Sequence, residues 1–148
     1  MKFLTTLVLL LMSSTTVLAQ TALDQQIELA RQAANLDRQA LLMGNVQLTA
    51  EESDAFWPAW KEYRLAMRSN GDRTIALLKD FAANYEDMDN LVADKMMTDY
   101  FSIMLQDMVI KQQFAQKYGV FLPAKKVMRF IQVENKLDAA IQMQMAAE

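Results

Sequence analysis

The sequence predicts an all-α protein built from four long helices, and three observations lead there. Gly and Pro are scarce, with three and two in 148 residues. No stretch alternates apolar and polar residues as a half-buried strand does. Apolar residues instead recur every three or four positions over runs of more than twenty residues, which is one face of a helix.

The first helix is expected from about Ala22 to Met43, with a thin stripe of Leu23, Ile27, Ala30, Ala34 and Leu41, and Gly44-Asn45 as its stop. The second opens at Leu48-Thr49-Ala50-Glu51-Glu52. Thr49 is its N-cap and Glu52, three residues on, completes a capping box. Glu51 and Glu52 also suit the positive end of the helix dipole. Its stripe reads Phe56, Trp60, Tyr63, Met67, Leu78, Phe81 and Tyr85. The heptad line Trp60, Met67, Thr74, Phe81 survives Gly71, so one helix runs from roughly Ala50 to Asn84, kinked where Pro58 frees the Asp54 carbonyl. A loop at Tyr85–Met88 precedes the third helix, capped by Asp89 and ended by Gly119. Its face carries Met97, Phe101, Met104 and Met108, with Tyr100, Leu105 and Val109 alongside. The fourth helix starts at Pro123, a residue suited to a first turn, and its stripe is Val127, Phe130, Ile131, Leu137 and Ile141. The tail Met143–Glu148 is expected to fray.

Length turns these elements into an expectation about shape. A helix of 35 residues is ~52 Å long at 1.5 Å per residue. A compact globule of about 130 residues has a radius of gyration of only ~14 Å. The four helices should therefore form an elongated molecule with one face under-covered, and a homodimer is the expected way to cover it.

The N-terminus reads as an export signal. Lys2 precedes the apolar core Phe3–Met12. A polar stretch follows, and Val17-Leu18-Ala19 offers small residues to a signal peptidase, with Gln20 as the mature start. A ten-residue core does not span ~30 Å of hydrocarbon, which takes about 20 residues. No Cys follows the cleavage site to carry a lipid. The expected domains are a signal peptide over 1–19 and a single exported helical domain over 20–148, with no membrane span.

Composition narrows the chemistry. The mature chain carries fourteen basic and eighteen acidic residues, a net charge of −4, which argues against nucleic acid as a partner. Neither Cys nor His occurs, so no disulfide, His–carboxylate triad or His metal site is available. The close carboxylate pairs Glu51/Glu52 and Asp87/Asp89 sit at helix starts, where capping accounts for them. The Met88–Asp94 stretch lacks the glycine of a tight calcium loop. No catalytic, metal-binding or cofactor-binding residues are assigned, and an enzyme is not expected. Ten methionines survive processing. They serve as core filler or as an adaptable binding surface; Met143-Gln-Met145 is only a weak copper pattern. Charge is segregated: the net is −6 over Asp80–Asp107 and +5 over Lys111–Lys136. Solvated surface with dipole matching accounts for much of this. Pairing of unlike segments, within or between subunits, is the functional alternative, as is a basic patch offered to a client.

Leu48-Thr49-Ala50-Glu51-Glu52 has an echo in Leu122-Pro123-Ala124-Lys125-Lys126. Both copies place a Phe eight residues after the Leu, at Phe56 and Phe130. With the export signal and four helices, this layout resembles the Spy/CpxP-like periplasmic proteins, whose LTxxQ signature opens a helix twice. The motif positions are then Leu48, Thr49, Glu52, Phe56, Leu122 and Phe130. The chain departs from the pattern with Glu52 for Gln, Pro123 for Thr and Lys126 for Gln, and with Trp57 and Trp60, which suggests a divergent branch. The resemblance implies a cradle-shaped antiparallel homodimer. It also implies either a chaperone that holds unfolded clients without ATP or an accessory protein that damps an envelope-stress sensor kinase by binding its periplasmic domain. Metal-linked relatives use His-rich segments absent here.

A binder without ATP must hold clients weakly enough to release them. That favours a broad surface mixing Met and aromatic residues with long basic side chains whose stems lie on apolar surface. Arg64, Met67 and Arg68 on the second helix, and Met104, Met108 and Lys111 on the third, supply that mixture. Phe56-Trp57-Pro58-Ala59-Trp60 is read as packing, with an aromatic docking spot as the alternative.

Overall fold

The computed structural model describes residue 25 and residues 37–146. All regular structure among them is helical. The chain divides into two units, residues 1–44 and 45–148. The expected export signal and the stripe positions Leu23, Ile27, Ala30 and Ala34 lie outside the described residues.

The described end of the first helix, α1, covers residues 37–46. It passes through the expected stop at Gly44-Asn45 and ends after Val46. Val46 is buried, and continuing the helix carries it into the core. The reversal falls on Gln47, whose φ of 52° is left-handed. A non-glycine residue adopts this at a cost of about 1–2 kcal/mol.

The helix α2, Ala50–Asn84, begins with the expected capping box. The Glu52 amide donates to Thr49 Oγ1 at 3.2 Å, and the Thr49 amide donates to Glu52 Oε2 at 2.8 Å. Lys126 Nζ donates to the same carboxylate oxygen at 2.5 Å. The Lys126 hydrogen bond, then that of the Thr49 amide, lowers the Glu52 carboxyl below its ordinary value of 4.5. The stabilisation this represents is complete above that value and disappears as pH falls through the lowered one. Glu52→Gln should therefore melt below wild type at neutral pH and converge with it in acid. A constant difference in melting temperature across the acid range would contradict this.

The helix runs unbroken through Pro58, which is exposed. Gly71 is also helical, and a Cβ there would meet nothing within 4 Å. Gly71→Ala should stabilise the chain by about 0.5–1 kcal/mol, since Ala costs less backbone entropy in a helix. Chemical denaturation measures it directly.

Capped by Asp89, whose side chain accepts from the Val92 amide at 2.8 Å, α3 spans Asn90–Tyr118. Its end is turned by Gly119, whose amide donates to Ala115 O at 3.0 Å. The last helix, α4, covers Ala124–Ala146. Pro123 stands just before it rather than in its first turn, and its carbonyl accepts from the Val127 amide at 3.2 Å. The helix extends past Met143, where fraying is expected, to Ala146.

Cross-links fix the helix directions within residues 45–148. Glu62 pairs with Lys117, Asn70 with Ile103 and Asp107, and Arg73 with Ser102. Partner numbers fall along α3 as they rise along α2, so the two form a long antiparallel hairpin. Glu52 pairs with Lys126, Phe56 with Phe130, and Tyr63 with Glu134. Those numbers rise together, so α4 lies parallel to the first half of α2.

The core lies where these three helices meet. Tyr118 is its hub, with ring centroids 4.9 Å from Phe130, 5.1 Å from Phe56 and 6.1 Å from both Phe114 and Phe121. Tyr63 stands 5.4 Å from both Phe114 and Phe130. Each fully buried aromatic contributes roughly 1.5–3 kcal/mol through burial. The Tyr118 hydroxyl is buried and has no hydrogen-bond partner. Desolvation, then the Glu134 and Glu62 carboxylates, push this phenol above its ordinary range, so it stays neutral.

Two apolar faces are not where their stripes suggest. On α3 the buried residues are Ile103, Ile110 and Tyr118, whereas Met97, Tyr100, Phe101, Met104, Leu105, Met108 and Val109 are exposed. On α2 the seam is the heptad line Phe56, Tyr63, Asn70 and Leu77, buried at its first three members. The neighbouring line Trp60, Met67, Thr74, Phe81 goes from buried to exposed along the helix. An ideal α-helix drifts ~20° per heptad relative to a 3.5-residue repeat, which carries the second line out of the interface.

Candidate functional site

A buried polar residue marks the boundary between the closed and open parts of the hairpin. Asn70 donates through Nδ2 to Ile103 O at 2.8 Å and to Asp107 Oδ1 at 2.7 Å, and its Oδ1 accepts from Arg73 at 3.0 Å. Towards the core, α4 covers the α2–α3 pair. Beyond Asn70, towards the turn at residues 85–89, the hairpin carries an open apolar groove of about 400 Å³. Leu77, Leu78 and Phe81 of α2 line it, with Met88 in the turn and Ala93, Met96, Met97 and Tyr100 of α3. Apart from the Tyr100 hydroxyl, every lining side chain is apolar. The α3 flank continues this surface with Phe101, Met104, Leu105 and Met108, each 46–67 % exposed. Monomeric soluble proteins rarely leave so contiguous an apolar surface uncovered without a use for it.

The six residues expected to contact clients separate into three pairs. Met104 and Met108 stand on the exposed flank. Met67 is half-buried and Arg68 is exposed on α2. Arg64 and Lys111 are committed to α4. Arg64 stands 3.7 Å from the buried Glu134 carboxylate and lies over the Tyr63 ring. Lys111 donates to Asp138 at 2.9 Å and to Asn135 at 3.1 Å. These two cations therefore brace helices, and the exposed flank is more purely apolar than the expected Met–basic mixture.

The repeated motif has a structural role. Leu48 and Leu122, like Phe56 and Phe130, are 74 positions apart, and 74 is also the separation of the bonded pair Glu52 and Lys126. The two copies thus start α2 and α4 side by side in one register. Lys126, the last residue of the second copy, supplies the cation for the first copy's capping Glu52. Phe56, Leu122 and Phe130 are buried in the core beneath them.

Asn70 and Glu134 were not singled out from sequence. Asn70 did leave a trace, as a lone polar residue in the heptad line Phe56, Tyr63, Asn70, Leu77. Glu134 left none. It is buried because α4 turns it inward, where Tyr63 Oη donates to it at 3.3 Å. A second groove of about 640 Å³ lies between Asn45–Gln47 and the start of α4. Two of its cations are engaged, Lys126 by Glu52 and Arg129 by Asn45 Oδ1 at 2.8 Å. Among the described residues no cluster of three or more acidic side chains is arranged to hold a metal ion, and no helix is long and apolar enough to cross a membrane. Comparison with protein-family models, with curated protein sequences and with solved structures finds no match.

Proposed function

We propose that the chain is an exported, nucleotide-independent, chaperone-like protein that holds unfolded or misfolded envelope proteins on the α3 flank and hairpin-tip groove. The observation that carries this reading is the outward placement of Tyr100, Phe101, Met104, Leu105 and Met108 on a helix anchored through its other face by Ile103, Ile110 and Tyr118. Methionine suits such a surface because its unbranched, polarizable side chain adapts to varied partners. Export with cleavage after Ala19, residence in the periplasm and the likeness to the Spy/CpxP-like proteins belong to the same proposal. So does a homodimer, in which a second copy would cover part of the flank and leave the rest to clients.

The test is aggregation of an unrelated, chemically unfolded protein diluted into buffer without nucleotide. Equimolar chain should slow the rise in light scattering. An unchanged aggregation curve would reject the chaperone reading, and tight binding to a single sensor domain would replace it with a regulatory one.

A further inference from the structure

We infer that the groove at the hairpin tip docks cationic amphipathic segments, so that the clients held there are selected by positive charge as well as by apolar surface. This rests on the chaperone reading above and gives its site a substrate class. The groove is apolar inside, and its sequence neighbours are carboxylates: Asp80 beside Phe81, Asp94 beside Ala93, Asp99 beside Tyr100, and Glu86, Asp87 and Asp89 around Met88. Over residues 77–100 six acidic residues face only Lys79 and Lys95, and Lys95 is held by Asp99 at 2.6 Å. A guest that puts leucines into the groove and lysines around it would satisfy both surfaces. An acidic guest of equal hydrophobicity would meet like charge on the same stretch of chain.

A second copy of the chain is the obvious rival guest, since its segment Lys111–Lys136 is strongly basic. Most of those cations are already engaged within their own subunit. Lys111 pairs with Asp138, Lys117 with Glu62 and Lys126 with Glu52, while Arg129 bonds Asn45. A second copy would therefore have to give up most of these contacts to bring its full basic charge to the tip. The carboxylates at the tip, in contrast, are almost all solvent-facing. The charge segregation evident in the sequence thus resolves into a basic half partly paired within its own subunit and an acidic tip in which six carboxylates are offset only by Lys79 and Lys95.

Two labelled peptides of equal length provide the test, one of alternating leucine and lysine pairs and one with glutamate for lysine, titrated with the full chain by fluorescence anisotropy. The lysine peptide should bind about tenfold more tightly or better, with affinity falling as salt rises. Asp80→Asn/Asp87→Asn/Asp94→Asn should weaken it about five- to tenfold while leaving helicity and melting temperature unchanged. Leu78→Gln/Met97→Gln, which removes apolar lining and leaves the charges, should weaken it similarly. Equal binding of both peptides, or no effect of the asparagine variant, overturns the inference while leaving the chaperone reading intact. Aggregation suppression without binding of either peptide moves the client site away from the tip and also overturns it. Failure of both peptide binding and aggregation suppression defeats the chaperone reading itself. Concentration-dependent self-association abolished by Leu78→Gln/Met97→Gln would make a second copy the occupant, against the inference.

Discussion

Phe130→Ala is expected to lower the free energy of unfolding by about 3–5 kcal/mol, the cost of truncating a buried aromatic. Domains of this size are stable by only about 5–15 kcal/mol in total, so the variant should lose a large share of its stability. The size of the effect comes from position. Phe130 is 1 % exposed and touches Phe56, Tyr63 and Tyr118 together. Through it α4 packs on both helices of the hairpin. A companion substitution in the same cluster carries the opposite sign. The Tyr118 hydroxyl has no hydrogen-bond partner, so Tyr118→Phe removes a desolvated polar group without creating a cavity. It should be neutral or stabilise by about 1–2 kcal/mol. Urea denaturation followed by circular dichroism measures both. A loss under about 1.5 kcal/mol at Phe130, or a marked loss at Tyr118→Phe, would mean the aromatic cluster is not the core.

Phe101→Gln/Leu105→Gln/Met108→Gln is expected to abolish most aggregation suppression while shifting stability little. All three side chains are more than half exposed, and exposed substitutions usually fall within about 0.5 kcal/mol each. A surface kept apolar for folding would respond the other way, with falling stability and unchanged activity. Melting temperature and light scattering on the same preparation separate the two. The control is Ile103→Ala, on the opposite face of α3, which should cost about 2–4 kcal/mol in stability.

Local signals in the sequence carried most of the fold. The limits of α2 and α3 were legible because Thr49, Asp89 and Gly119 each satisfy or end a helix by a local hydrogen bond. The end of α1 was not, because burial of Val46 is a tertiary gain that outweighs the stop signal at Gly44-Asn45. Which face of α3 packs was also illegible. The Met–Phe stripe is the more hydrophobic one, and Ile103 and Ile110 were hidden beside it. The interface with α2 accommodates the narrower isoleucine seam, leaving the wide stripe outside. The candidate site shows the same division. Helical spacing gathered the methionines and aromatics of α3 on one face, but whether Arg64 and Lys111 face a client or another helix depends on where α4 lies. No local pattern specified that. The 74-residue spacing of the repeat is the exception, because the same separation sets the α2–α4 register.

The central claim is that the native chain keeps an apolar flank uncovered. Titration of the folded protein with an anilinonaphthalene dye, followed by addition of an unfolded client, tests it most directly. The account predicts strong dye fluorescence from fully helical protein and displacement of the dye as client is added. Native protein that leaves the dye dark while remaining helical would contradict it.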